Sequence, residues 1–193
     1  MKHNVTTLYT KKALSASLKK LMEIKPLSKI TVTDIVTDCG VNRKTFYYHF
    51  NEVCELLKWT LEQEAIDVVR QFDLLTEYED AIHFVLNYIR ENKHILNCAY
   101  DSIGRDTLKE FLYHDLNGIM LCIIEQLESL EHAKLDNEFK QFVCDFYTEG
   151  VAGKVINLLQ EKEPFCEDIM IQYIAAIFKH SLPNIIKEEA RKA

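Results

Sequence analysis

Residues 34–50 read DIVTDCGVNRKTFYYHF, in which two cations, Arg43 and Lys44, precede Thr45 and five consecutive rings, Phe46, Tyr47, Tyr48, His49 and Phe50. The chemistry on offer is recognition of a polyanion. Arginine and lysine donate to phosphate oxygens and to guanine edges, while phenol hydroxyls donate to phosphate and their rings rest on sugar and thymine-methyl surface. Five consecutive residues cannot share one face of a helix. Phe46 and Phe50, four apart, are expected to face Ile35, Leu18 and Leu21, which turns Tyr47, Tyr48 and His49 outward. No paired carboxylates, Ser/His/Asp set or phosphate-binding glycine loop occurs with usable spacing, so catalysis is not expected. Cys39, Cys54, Cys98, Cys122, Cys144 and Cys166 are scattered without a CxxC pair or a nearby histidine. They read as buried, reduced thiols, and Cys166 and His180 are too isolated to hold a metal. No cofactor is expected.

Positioning such a helix requires a turn of defined geometry on its N-terminal side. TVTD offers a capping box, with Thr31 as N-cap and Asp34 at N3, and opens a short helix over about 32–39 that buries Ile35, Val36 and Cys39. Gly40 stops it, because glycine adopts the left-handed conformation of a tight turn without penalty. Asn42 then caps the helix that holds Arg43 to Phe50. Two short helices, a glycine turn and a basic second helix describe a helix-turn-helix. A helix from about Thr7 to Glu23, closed by Pro26, precedes it.

Beyond Asn51 the apolar spacing stays helical. It predicts helices from Val53 to about Phe72, over 77–91, around His94–Tyr100, from just after Gly104 to about Ser129, over 137–161, and from 165 to about 189 with a kink at Pro183. About nine helices and no strand result, an all-α chain. With five glycines and three prolines in 193 residues, few tight turns are available. No apolar run reaches a membrane span, and MKHNVTTLYTKKALSASLKK has no secretory character, so a cytoplasmic protein is expected. The charge is uneven: residues 1–50 hold nine Lys or Arg against three acids, and the remainder 14 against 27. A basic head on an acidic body suits a polyanion at one end only.

The stretches 139–159 and 169–178 are apolar on more than one face, which calls for cover by a second subunit. Gly150 and Gly153 allow close backbone approach. Crowding within one chain is the alternative. Tyr88, His94, Tyr100, His114 and Tyr147 lie on mostly apolar helices and either line an effector pocket or serve the core.

KITVTDIVTDCGVNRKTFYYHF (29–50) resembles the TetR family of bacterial transcriptional regulators, strongly over residues 9–60 and diffusely beyond. The resemblance implies an all-helical homodimer with a DNA-binding head at 1–51 and a ligand-sensing and dimerisation domain at 52–193. It implicates Arg43, Lys44, Thr45, Tyr47, Tyr48 and His49 in contact with a double-stranded DNA operator, with Lys29 and Thr33 near the backbone. FYTEGVAGKVINLL (146–159) is similar to the penultimate helix through which many relatives dimerise. The chain departs from the family at Val53, where a phosphate-binding lysine is usual, and at Val36 and Cys39, where alanine is common. CGVNRKTFYYHF followed by ELLKW is closer to a narrower branch that includes activators of dihydroxyacetone-kinase operons. In that branch the effector is in some cases a protein, so metabolite and protein control both stand open. An all-helical interaction module that binds no DNA is the competing class.

Overall fold

A computed structural model of the chain describes residues 2–132, 134–160 and 167–191, and all of its regular structure there is helical. The order is α1 (Lys2–Met22), a 3₁₀ turn (Leu27–Lys29), α2 (Val32–Cys39), α3 (Arg43–His49), α4 (Val53–Leu61), a π turn (Glu62–Ile66) and α5 (Asp67–Val69). Then come α6 (Tyr78–Glu91), α7 (Lys93–Ile103), α8 (Arg105–Leu130), α9 (Asn137–Gln160), α10 (Glu167–His180) and α11 (Leu182–Ala190). The all-α reading holds. Counting α4 to α5 as one run, and α10 with α11 as another, gives nine helical runs among the described residues.

Several boundaries differ from expectation. The run that starts at Val53 ends at Val69, short of Phe72, and contains a π turn in which the Asp67 N–H reaches the Glu62 carbonyl. The last helix is interrupted for one residue at Ser181, whose backbone stays right-handed helical, next to the kink expected at Pro183. Pro183 has no N–H to give the turn before it and its ring crowds that turn, so the chain restarts with proline inside the first turn of α11. The Asn184 side-chain amide donates to the His180 carbonyl at 2.6 Å, covering an acceptor the interruption leaves open. The expected start of this helix near residue 165, and Cys166, lie outside the described residues.

The chain divides into two compact units, one running to Asp67 and including Asn92–Leu108, the other made of Val68–Glu91 and the chain from Lys109 onward. In the first, α1 is the central element and packs on α2, α4 and α7, while α2 packs on α3. Leu14, Leu18, Ile35, Phe46, Leu56 and Leu57 are fully buried at its centre. Polar stitches fix α1 in place: Ser17 Oγ lies 3.1 Å from the Ile35 carbonyl and 2.9 Å from Asp38 Oδ2, and Thr60 Oγ1 lies 3.0 Å from Ser15 Oγ. The 3₁₀ turn is held by α7, where Cys98 Sγ accepts the Leu27 N–H at 3.3 Å and His94 Nε2 lies 3.2 Å from the Met22 carbonyl.

In the second unit α8 and α9 are joined by polar contacts. Tyr113 donates to Asp145 at 2.8 Å, Asn117 donates to the same carboxylate at 3.0 Å, and Lys109 pairs with Glu149. Burial and the Asp145 carboxylate push the Tyr113 phenol up to about 12. Arg70 reaches the buried Asp115 at 3.0 Å. Ile124, Cys144, Ile156 and Ile186 are fully buried. No described helix is long and apolar enough to cross a membrane.

Candidate nucleic-acid interface

The turn that carries α3 is built as the local sequence dictates. Thr31 and Asp34 form a reciprocal capping box: the Asp34 N–H donates to Thr31 Oγ1 at 3.2 Å, and the Thr31 N–H donates to Asp34 Oδ2 at 2.8 Å. Lys25 Nζ sits 2.8 Å from the same carboxylate. Lys25 first, then the Thr31 amide and hydroxyl, hold Asp34 down from the ordinary 3.8 to about 2. Gly40 has φ of 72°, the left-handed region, and its N–H returns to the Val36 carbonyl. A Cβ there meets no neighbour within 4 Å, so the requirement for glycine is conformational and not steric. Asn42 Oδ1 accepts the Thr45 N–H at 2.9 Å and opens α3.

Phe46 is fully buried and Phe50 nearly so, their ring centroids 6.0 Å apart. They anchor α3 as the four-residue spacing requires. Of the expected inward residues on α1 and α2, Leu18, Ile35 and Val36 are buried, whereas Leu21 and Cys39 are half-buried. Tyr47 is 50% exposed and Tyr48 69%. Arg43 and Lys44 are exposed, as are Lys29 in the 3₁₀ turn and Thr33 in the first turn of α2. The Arg43 guanidinium lies over the Tyr47 ring, 5.9 Å from its centroid, and Nη2 donates weakly to the phenol oxygen at 3.4 Å. The phenol hydrogen stays available for an acceptor.

Two positions are less open than the sequence suggests. Thr45 is half-buried, and its hydroxyl is 3.1 Å from Asn42 Oδ1, so it is spent on the cap. His49 is half-buried with its ring edge-on to Tyr48 at 4.8 Å. Burial, and secondarily the charge of Lys11, lower its pKa from the ordinary histidine value and so favour the neutral ring. The sequence reading missed Lys11, whose ammonium lies 5.1 Å from the Phe50 centroid and 5.5 Å from that of Trp59. No spacing rule links residues so far apart in the chain, and only the packing of α1 brings them together.

The five candidate pocket residues are divided between the two units. His94 and Tyr100 belong to the first unit, and Tyr88, His114 and Tyr147 to the second. His114 and His94 are exposed, and Tyr88 stacks on Phe84. Tyr147 is buried, with its hydroxyl 2.6 Å from Ser181 Oγ and its ring 5.7 Å from that of Phe178. A groove of about 580 Å³ in the first unit is lined by Lys12, Ser15, Lys19, Trp59, Gln63 and Glu64 among others, and a depression of about 350 Å³ in the second by Phe139, Asn184, Ile185, Glu188 and Glu189. Neither includes any of the five. No cluster of metal-ligating side chains occurs among the described residues.

Comparison with known proteins bears on the whole chain. A curated relative, the HTH-type dhaKLM operon transcriptional activator DhaS of Lactococcus lactis subsp. lactis (strain IL1403), is 24% identical over 147 residues, covering 76% of this chain and 78% of the relative. A solved structure described as the dihydroxyacetone kinase operon activator DhaS superposes with a TM-score of 0.65 at 17% identity, over 96% of this chain and 98% of that one. At that identity the superposition establishes a shared fold. Residues 76–186, more than half of the chain, match the model of the transcriptional regulator C-terminal region of the TetR type. With a capped helix-turn-helix at one end and that region at the other, the chain belongs to the TetR family of transcriptional regulators and is not an enzyme.

Proposed function

We propose that the protein binds a palindromic operator in double-stranded DNA as a homodimer, with α3 as the recognition helix and an effector acting through the C-terminal region. One observation carries the reading. Phe46 and Phe50 hold α3 so that Arg43, Lys44, Tyr47 and Tyr48 stay exposed on a helix capped at Asn42. Arg43 and Lys44 meet base edges or phosphates, and Tyr47 and Tyr48 donate to phosphates, with Lys29 and Thr33 on the flanking backbone. Labour is divided at residue 51: residues 1–51 read DNA, and 52–193 dimerise and sense. A gel shift with the protein's own upstream region tests this. Binding should be lost in the Arg43→Ala, Lys44→Ala double variant, and wild-type protein that shifts no duplex at low salt would defeat the proposal.

Dimerisation is supported by apolar surface on α9 and α10. Phe142 and Phe146 are stacked on each other yet 68% and 67% exposed, and Tyr173 and Ile177 are 68% and 54% exposed. A four-helix bundle between two copies covers such surface. The effector, a metabolite by preference and a protein partner as the alternative, acts by changing the spacing of the two recognition helices, which must match a groove repeat of roughly 34 Å. Paired spin labels on the two α3 helices measure that spacing. A distance that stays fixed while a verified effector releases or recruits DNA excludes the mechanism. The named relatives are activators, and we extend that sign of control to this chain.

A further inference from the structure

The cations of α3 stand at one end. Arg43 and Lys44 occupy its first turn, and its last turn offers Tyr48 and His49, whose half-buried ring is held towards its neutral form. The corner that follows is acidic: Glu52 and Glu55 are both exposed, and Glu55 accepts the Asn51 N–H. A helix of seven residues is about 10 Å long, so charge at its start does little for a phosphate at its end when salt screens over a similar distance. Lys11 is the cation that α1 delivers to this end. Its ammonium rests over Phe50 and Trp59, and it makes no ion pair or hydrogen bond among the described residues. Lys19, Lys20 and Lys25, further along the same stretch, are by contrast paired with Glu64, Asp38 and Asp34. An ammonium held over two rings keeps its hydrogens for an outside acceptor and loses little freedom when one arrives.

We propose that Lys11 is a phosphate-binding residue that seats the C-terminal end of α3 on DNA, a role that rests on the DNA-binding reading above. It donates to a phosphate oxygen as a sequence-independent contact, and the ammonium moves off the Trp59 ring as it does so.

The test uses the full-length protein, a labelled duplex of its own upstream region and a scrambled duplex of equal length, titrated by anisotropy between about 50 and 200 mM salt. Lys11→Met keeps the alkyl stem over the rings and removes the charge. It should lower the slope of log K against log salt by about 0.9 for each phosphate lost, or about 1.8 for a dimer, equally on both duplexes. Lys11→Arg should keep the wild-type slope. Lys12→Met, a neighbour that lines the groove instead, should leave it nearly unchanged. Trp59 is the chain's single tryptophan, so its emission should shift on adding either duplex to wild type and not to Lys11→Met. A Lys11→Met variant of native circular dichroism with the wild-type slope overturns the proposal, as does an equal loss from Lys12→Met, which would mean a diffuse field. Wild-type protein that binds neither duplex overturns the DNA-binding reading itself, and this role with it, before any variant is compared.

Discussion

Arg43 and Tyr47 touch each other, so they cannot be treated as independent readers of DNA. If Arg43 reads a guanine edge, Arg43→Ala should cost roughly 1–3 kcal/mol and relax preference at one base pair in each half-site. Tyr47→Phe should weaken all sequences about evenly. Because the guanidinium lies over the Tyr47 ring and donates weakly to its oxygen, the double variant should lose less than the two single losses combined, by about 0.5 kcal/mol or more. Strict additivity in a competition assay would show that the pair separates on DNA. Asp34 carries a second prediction at this scale. Its folded pKa, about 2, lies below the ordinary 3.8. The carboxylate therefore adds stability that is fully present above pH 3.8 and disappears as pH falls towards 2. Asp34→Asn should flatten the acid limb of stability in that window and leave its shape near neutrality unchanged. An acid titration followed by circular dichroism, in wild type and variant, decides it. The Thr31–Asp34 cap was legible because its partners lie three positions apart, whereas the Lys25 ion pair that does most to hold Asp34 down was not. Lys11 was not, and neither was the capture of the Thr45 hydroxyl by Asn42, since both follow from where a flexible side chain settles.

Among elements, the capped turn between α2 and α3 was readable almost residue by residue. Thr31, Asp34, Gly40 and Asn42 act on backbone groups three or four residues away, and such chemistry needs no tertiary information. Asn42→Ala should therefore cost about 1 kcal/mol, seen as a lower thermal midpoint. It should also weaken operator binding at temperatures where the protein is still folded, because α3 frays at the end that carries Arg43. An unchanged midpoint would show that packing of Phe46 alone sets the start of α3. The remaining elements were legible in kind but not in detail. The apolar spacing from Val53 announces a helix, yet not that it changes its bonding at Glu62. Pro183 announces a disturbance, but not that the Asn184 side chain turns back to the His180 carbonyl beside it. The 3₁₀ turn at Leu27–Lys29 escaped notice because its support comes from Cys98 and the packing of α7.

Over the whole molecule, the basic N-terminal stretch and the surplus of apolar residues near the C-terminus were both visible in the sequence. Which rings remain uncovered was not: of the apolar residues in α9, Tyr147 is buried while its neighbour Phe146 is not. Phe146→Asp should give monomers in sedimentation with unchanged helix content, since that ring contributes little to the core of one chain. Gly153→Arg should do the same, because a Cβ at this position meets nothing within 4 Å. Both should abolish operator binding at concentrations where wild type is saturated. A monomeric wild type at micromolar concentration would remove the basis for either. The π turn, finally, has a consequence for counting. One row of buried positions along this run, beside Leu56 and Thr60, falls at Leu57, Leu61, Ile66 and Val69, with one interval of five where a regular helix would have three or four. The wider turn absorbs the surplus residue and keeps Leu61 and Ile66 inward. Deleting Ala65 should thus leave an ordinary helix with the same residues facing in, whereas a deletion at Lys58 would rotate the following side chains by about 100°. Between Val53 and Val69, this is where the chain can lose a single residue without turning its buried face outward.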